Sequence, residues 1–226
     1  MTALRRYLFG WRRLGLRAAL LVALAGCSPG VSVAPGRSFK NAIGMEMIAL
    51  STGYYVSRFE TTQGQYQLVI GANPMDPACL ECAVGNITGD EALAFCERLT
   101  EREAQRGTLP PGYAYRLPTY AQYLEYVADA PLKGSVTPVG GRGGAHLRGP
   151  LPVGSGEVNR LGIYDLRGNV SEYLCEPYNT GSLTIVGAHW NTHRQDFLTV
   201  RNRAGLIKKD EKGPNIGFRC VLVPQR

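Results

Sequence analysis

The chain of 226 residues lacks a hydrophobic run able to span a bilayer stably. Its N-terminal apolar stretch, Ala18–Leu24, falls far short of the roughly 20 residues a membrane helix needs. No acidic residue occurs in positions 1–26, whereas Arg5, Arg6, Arg12, Arg13 and Arg17 all lie there. A cationic segment followed by a short apolar run is the pattern of a cleavable export leader, which is set aside before the fold is considered. Its removal lowers the formal charge from +7 to +2. The high pI is therefore a property of the leader, and a nucleic-acid partner loses its electrostatic support. No internal repeat is visible, which excludes a solenoid.

What the leader ends on is informative. Leu24-Ala25-Gly26-Cys27 is similar to a lipobox, in which small residues fit the peptidase and the thiol accepts a diacylglycerol. Ser28, rather than aspartate, follows the cysteine, and in Gram-negative lipoproteins this implies sorting to the outer membrane. The expectation is a cell-envelope protein, lipid-anchored at Cys27, facing the periplasm or the cell surface. Acyl chains bury about 0.8 kcal/mol per methylene, so two or more make attachment effectively permanent. The organisation read from the sequence is a leader over 1–26, a lipidated cysteine and tether over 27–40, and one domain over 41–226. About 200 residues are enough for a proper core.

Cys79, Cys82, Cys96, Cys175 and Cys220 remain after lipidation. Export favours disulfides over a reduced metal site, and an odd count leaves at least one thiol over within a single molecule. Cys79-Leu-Glu-Cys82 reads as a local disulfide or a redox pair, with Cys175 as another possible partner for either cysteine.

Thr88 and Glu91, three apart, form a capping box, and Ala92, Phe95, Cys96 and Leu99 then share one helical face. Thr119 and Gln122 open a second helix, through Tyr126, that Pro131 terminates. Thr61 or Thr62 caps a shorter helix ending near Gly71. Tyr54–Phe59 and Ile216–Val223 alternate as strands. Residues 134–156 hold eight glycines and read as a long mobile loop.

Six blocks carry a family resemblance. Ile43-Gly-Met-Glu-Met47 looks like an opening strand, and Phe59-Glu-Thr-Thr-Gln-Gly-Gln-Tyr66 like the approach to a first helix. Glu91–Cys96 and Tyr115-Arg-Leu-Pro-Thr119 follow, then Asn159–Glu172, and last Arg201-Asn-Arg203 with Asn215–Cys220. In that order they resemble the formylglycine-generating, or sulfatase-modifying factor, domain family from about residue 41 to 223. The resemblance implies an α+β fold, the formylglycine-generating-enzyme-like variant of the C-type lectin fold, loop-rich with few regular elements. It also implies that Cys96 and Cys220 pair. A structural calcium is implied at Glu172, with carbonyls from Arg167, Gly168 and Val170, since oxygen ligands suit a hard cation. Ser171 stands where the family has tryptophan.

The resemblance fails at the family's chemistry. The enzyme holds Cu(I) with two cysteines, and soft thiolates are what that ion requires. The matching stretch, Gly187–Arg201, has none, with Thr192 and Phe197 at the nearest positions. Copper and cysteine oxidation are therefore not expected. His189 and His193 are four apart, with Asp196 as the neighbouring acid, but the segment reads as strand and loop rather than helix. His189, Trp190, His193 and Arg194 sit where the family has its ligand groove and are the expected binding residues. The leading expectation is a non-catalytic binding or assembly module within an envelope complex. Alternatives are a divergent periplasmic oxidoreductase or modifying enzyme, and a lectin-like variable display protein.

Overall fold

A computed structural model describes residues 36–127, 129–137, 147–176, 180–194 and 204–225. The leader, Cys27, the centre of the glycine-rich segment, Asp196, Phe197 and Arg201–Arg203 lie outside the described residues. No helix among the described residues is long and apolar enough to cross a membrane.

The described strands are β1 (Phe39–Lys40), β2 (Glu46–Ala49), β3 (Tyr55–Ser57), β4 (Ile87–Thr88) and β5 (Tyr113–Arg116). They continue with β6 (Ser171–Leu174), β7 (Ser182–Val186), β8 (Ala204–Lys208), β9 (Lys212–Gly213), β10 (Ile216–Gly217) and β11 (Val221–Pro224). Helices α1 (Gln63–Ile70), α2 (Gly89–Gln105) and α3 (Tyr120–Val127) lie between β3 and β6. One sheet runs β1-β2-β3-β11-β5, a second β10-β6-β7-β8, and β4 pairs with β9. This is the expected α+β fold, the C-type-lectin-like architecture of the family. Because Phe39 and Lys40 already pair with Met47 and Glu46, the domain starts inside the segment read as tether.

All three helices begin where the threonines place them. Thr62 and Thr88 accept from Gln65 N and Glu91 N, and those side chains return a bond to the cap backbone. Thr119 and Gln122 make the same reciprocal pair before α3. Helix α1 ends on Gly71, whose φ of 94° is a left-handed cap that glycine adopts without strain. Helix α2 buries Ala92, Phe95, Cys96 and Leu99. Phe95 stacks on Tyr66 at 5.8 Å and meets Phe218 edge-on at 5.1 Å. Tyr123, Tyr126, Ile163 and Leu174 belong to a second cluster, around α3.

One reading is corrected. Ile216–Val223 is not one strand: β10 runs parallel to β6, then β11 runs antiparallel to β3 and β5. The backbone switches sheets at Phe218–Cys220, where successive side chains are all buried. The described parts of the 134–156 segment make hydrogen bonds to the rest of the domain. Asn169 Oδ1 accepts from Leu151 N, Val153 N donates to Glu81 O, and Asp165 takes both Gly154 N and Gly156 N. Glycine lets the backbone pass closely there, since a Cβ on Gly168 would lie 2.8 Å from the Val136 backbone.

Glu103 is buried on α2, accepting from Ala42 N at 2.9 Å and from the Tyr115 hydroxyl at 3.1 Å. Burial raises its pKa, against those two hydrogen bonds. A carboxyl raised in the folded state contributes stability that is full below its unfolded pKa and is lost as pH rises through the folded pKa. Glu103→Gln removes that titration. Relative to wild type, the variant is expected to gain stability between acidic and neutral pH. Urea unfolding at pH 5 and pH 8 reads this, and a difference that does not change with pH rejects it.

Candidate functional site

The centre of the domain is polar. Arg219, between β10 and β11, is fully buried. Its Nε donates to Glu172 Oε1 and Oε2 at 2.8 Å, and its Nη2 donates to Oε1 at 2.6 Å. The rest of the guanidinium donates to carbonyls of Ser57, Arg58 and Tyr164 at 3.0–3.4 Å. Burial alone would lower the Arg219 pKa, but the Glu172 charge and hydrogen bonds outweigh it and the net shift is upward.

Glu60 adjoins this pair. Its two oxygens accept from Asn169 Nδ2 at 2.6 Å and Val170 N at 3.1 Å. Burial, followed by the charges of Asp165 and Glu172, pushes its pKa up. Asn169 adopts φ 63°, a conformation asparagine tolerates better than most residues, and clamps Leu151 through both its amide atoms. The neighbouring Asp165 also has positive φ, at 61°. Glu60, Asp165 and Arg219 are all inside the sequence blocks without a role assigned to them. Their signal was a charge where flanking residues are apolar, with no solvent face to receive it.

This arrangement does not fit the expected calcium. The carboxylate required of Glu172 already bonds Arg219 through both oxygens, and a cation there would face a guanidinium. Gly168 and Val170 instead serve a turn, with Gly168 N donating to Asp165 O and Val170 N to Glu60. Among the described residues, no group of three or more His, Cys, Asp or Glu is placed to hold a metal ion.

Above the hub lies the segment that follows β7. Gly187 makes a turn at φ 80° and Ala188 is buried. His189–Thr192 then closes on itself: His189 N donates to Thr192 Oγ1 at 3.0 Å, and Thr192 N to His189 O at 2.9 Å. Trp190 N donates to Asn169 O at 2.8 Å, pinning this turn to the Arg167–Val170 turn. His189 Nδ1 accepts from Asn191 N at 3.3 Å, and His193 Nε2 bonds Asn191 Oδ1 at 2.9 Å. The two histidines are thus held by Asn191 on a non-helical turn and share no helical face. Burial, and then the neighbouring His193, lowers the His189 pKa. Asn191, His193 and Arg194 are exposed, with His189 and Trp190 half-buried. The structure therefore brings His189, Trp190, His193 and Arg194 together on one turn. Thr192, buried beneath it, spends its hydroxyl on closing the turn.

Cys79 and Cys82 are joined in a disulfide. The bridged turn is structural: its Leu80 and Cys82 carbonyls accept from Gly64 N and Gln63 N, two of the orphan donors at the start of α1. The sulfurs of Cys96 and Cys220 stand 3.8 Å apart, unbonded but side by side, where the resemblance implies a pair. A bond requires about 2.05 Å. Cys175 packs against the same core cluster and has no part in the Cys79–Cys82 bridge.

Comparisons with known proteins agree on the architecture. The model of the sulfatase-modifying factor enzyme 1-like domain family matches residues 29–223. Chaperone protein LppX of Paenibacillus barcinonensis is 26% identical over 230 residues, covering 74% of this chain and 79% of that protein. Among solved structures, PvdO from Pseudomonas aeruginosa superposes with a TM-score of 0.64 at 16% identity, covering 84% of this chain and 99% of that one. Treponema denticola variable protein 1 gives 0.62 at 19% identity, with 86% and 94% covered. CarF gives 0.59 at 20% identity, with 80% and 89% covered. At these identities the structural matches speak to fold alone.

Proposed function

The chain belongs to the sulfatase-modifying factor enzyme 1-like domain family, and from that premise we propose that it is an envelope-anchored, non-catalytic module that binds a protein partner through the His189–Arg194 turn. The observation that carries this reading is what occupies the family's copper segment. In Gly187–Arg201 there is no thiolate donor, and the described part is a self-closed turn presenting Trp190, His193 and Arg194. Nearby ionisable groups are committed to architecture. The carboxylates of Glu60, Asp165 and Glu172 each accept N–H donors, and the histidines bond Asn191. The three carboxylates are buried, and none of them faces solvent as a general base. An aromatic held on a hydrogen-bonded turn that also carries the Arg194 cation suits the centre of a protein interface. The relative named as a chaperone supports a protein-binding role for this fold. Cys27 supplies the anchor, with the tether keeping the domain close to the bilayer.

The test is in membranes. A photo-crosslinking residue at His193 is expected to capture one discrete protein, and Cys27→Ser is expected to release the domain from the membrane fraction. Capture of bulk envelope proteins without preference, equal to that from an exposed control position on α2 such as Glu101, would overturn the binding reading. Unchanged membrane retention of Cys27→Ser would overturn the anchor.

A further inference from the structure

Helix α1 and the chain around it form an uncharged stretch, with no Asp, Glu, Lys or Arg in residues 61–75. Leu68 on α1 and Leu80 on the Cys79–Cys82 turn are each 56% exposed, and among the described large apolar side chains only Leu206 is more so. The two leucines share one side of α1. Leu80 lies against Gly64, where a Cβ would meet the Leu80 carbonyl oxygen at 3.1 Å and the Leu80 Cβ at 3.4 Å. Leu68 follows Gly64 by one helical turn. The disulfide and the bond from Gly64 N to Leu80 O at 2.9 Å hold Leu80 there.

The other flank of Leu68 is cationic. Arg102 of α2 donates from Nη1 to Leu68 O at 2.8 Å. Arg98 and Arg106 stand one turn before and one turn after it, and both are exposed. Burial, and then Glu91, raise the Tyr66 pKa while the Arg98 charge opposes them, so Arg98 too lies on the α1 side. Glu97 and Glu101 fall further round α2 by helical spacing, away from α1, and Glu81 is the exposed acid beside Leu80. Exposed leucines bordered by a row of arginines are the make-up of a surface that lies on anionic lipid.

The chain enters the domain at the same end of α2. Ala42 N donates to Glu103 Oε1, on the residue after Arg102, and β1 begins three residues before Ala42. Ser28–Ser38, eleven residues, separate Cys27 from β1 and reach at most about 40 Å. So short a link keeps this face at a high effective concentration beside whatever Cys27 is fixed to, and contacts too weak to hold a free domain then suffice.

We propose that Leu68 and Leu80, with the row Arg98, Arg102 and Arg106, form a docking face for the anionic bilayer in which Cys27 is anchored. The leucines enter the headgroup layer and the arginines meet lipid phosphates. The proposal rests on the reading of Cys27 as a lipid anchor and adds the orientation in which the anchored domain sits.

The test uses acylated protein in vesicles of phosphatidylglycerol and phosphatidylcholine, with a photo-crosslinking residue replacing Leu68, Leu80 or, as the control on β8, Leu206. Lipid adducts, read by mass, are expected at positions 68 and 80 at least about fivefold above position 206. Arg98→Gln with Arg106→Gln, at two exposed positions, is expected to lower them by about fivefold or more, as is phosphatidylcholine alone. Raising salt from about 0.05 M to about 0.5 M should act in the same direction. Equal adducts at all three positions overturn the face, because a tethered domain would then be touching lipid at random. Adducts unchanged in the double arginine variant overturn it as well. In whole membranes, capture of a protein instead of lipid at positions 68 and 80 makes this a protein interface and rejects lipid docking. The two readings fail separately: a failed anchor shows as Cys27 without acyl mass, and a failed face as acylated protein without adducts at positions 68 and 80.

Discussion

Arg219→Ala is expected to cost the domain about 3–5 kcal/mol, because it strips a buried carboxylate of its counter-ion. At the size of this domain that is a fall of roughly 10 °C in Tm. Glu172 would retain both oxygens in the interior with no donor from Arg219, and the Ser57, Arg58 and Tyr164 carbonyls would lose theirs. The loss is also expected to depend on pH. Arg219 lies among Glu60, Asp165 and Glu172, and its charge lowers the pKa of Glu60 and Asp165 against the burial that raises them. Without it those two carboxyls rise further. Stability contributed by a raised carboxyl is lost as pH climbs through the folded pKa, so the deficit of Arg219→Ala should widen from acidic to neutral pH. The paired change Arg219→Met with Glu172→Met is expected to recover much of the cost, since it removes the stranded charge. Recovery should be incomplete, because the Ser57 and Tyr164 carbonyls lose the donor Arg219 gave them, while Arg58 O keeps Tyr164 N. Urea midpoints at unchanged m-value measure all of this. An Arg219→Ala cost below about 1 kcal/mol would show that the pair contributes little.

How much of this site was legible beforehand follows from the range over which each signal acts. Capping boxes are decided within four residues, and so Thr62, Thr88 and Thr119 placed their helices correctly. The Cys79–Cys82 bridge is equally local. Alternation in Ile216–Val223 indicated extended backbone, but period-two patterning says nothing about which sheet a strand joins, and the segment divides between two. Glu172, the calcium carboxylate of the family's pattern, pairs here with Arg219. Its counter-ion is 47 residues away, and a carboxylate that fits a cation fits a guanidinium equally well from the sequence. The exposed turn from His189 to Arg194 was found through the family's pattern.

Oxidation of Cys96 and Cys220 to a disulfide is expected to stabilise the domain by about 5 kcal/mol in the chain-entropy account, the largest single effect among its side chains. The two thiols are 124 residues apart in sequence and 3.8 Å apart in space. Cys96 projects from the buried face of α2, while Cys220 immediately precedes β11. The bond therefore ties the long helix to the strand that lies between β3 and β5 in the larger sheet, with a sulfur approach of under about 2 Å. Timing decides whether it forms. Burial first, and then the adjoining Cys220 thiol, hold Cys96 well above the ordinary thiol range. Exchange proceeds through thiolate, so the folded pair is slow to react. Oxidation must precede complete burial, which an oxidising compartment permits during folding and a reducing one does not. Exported protein is accordingly expected to carry the bond, and leaderless protein made in the cytoplasm to carry two thiols that resist alkylation until unfolded. In a Cys79→Ser/Cys82→Ser background, reductant should lower the unfolding free energy of exported protein by most of the roughly 5 kcal/mol, and should leave Cys96→Ser unaffected. If exported protein, denatured without reductant, still offers both sulfurs to alkylation, the pair is a packed contact between thiols, and α2 is held to the sheet by the Phe95–Phe218 core alone.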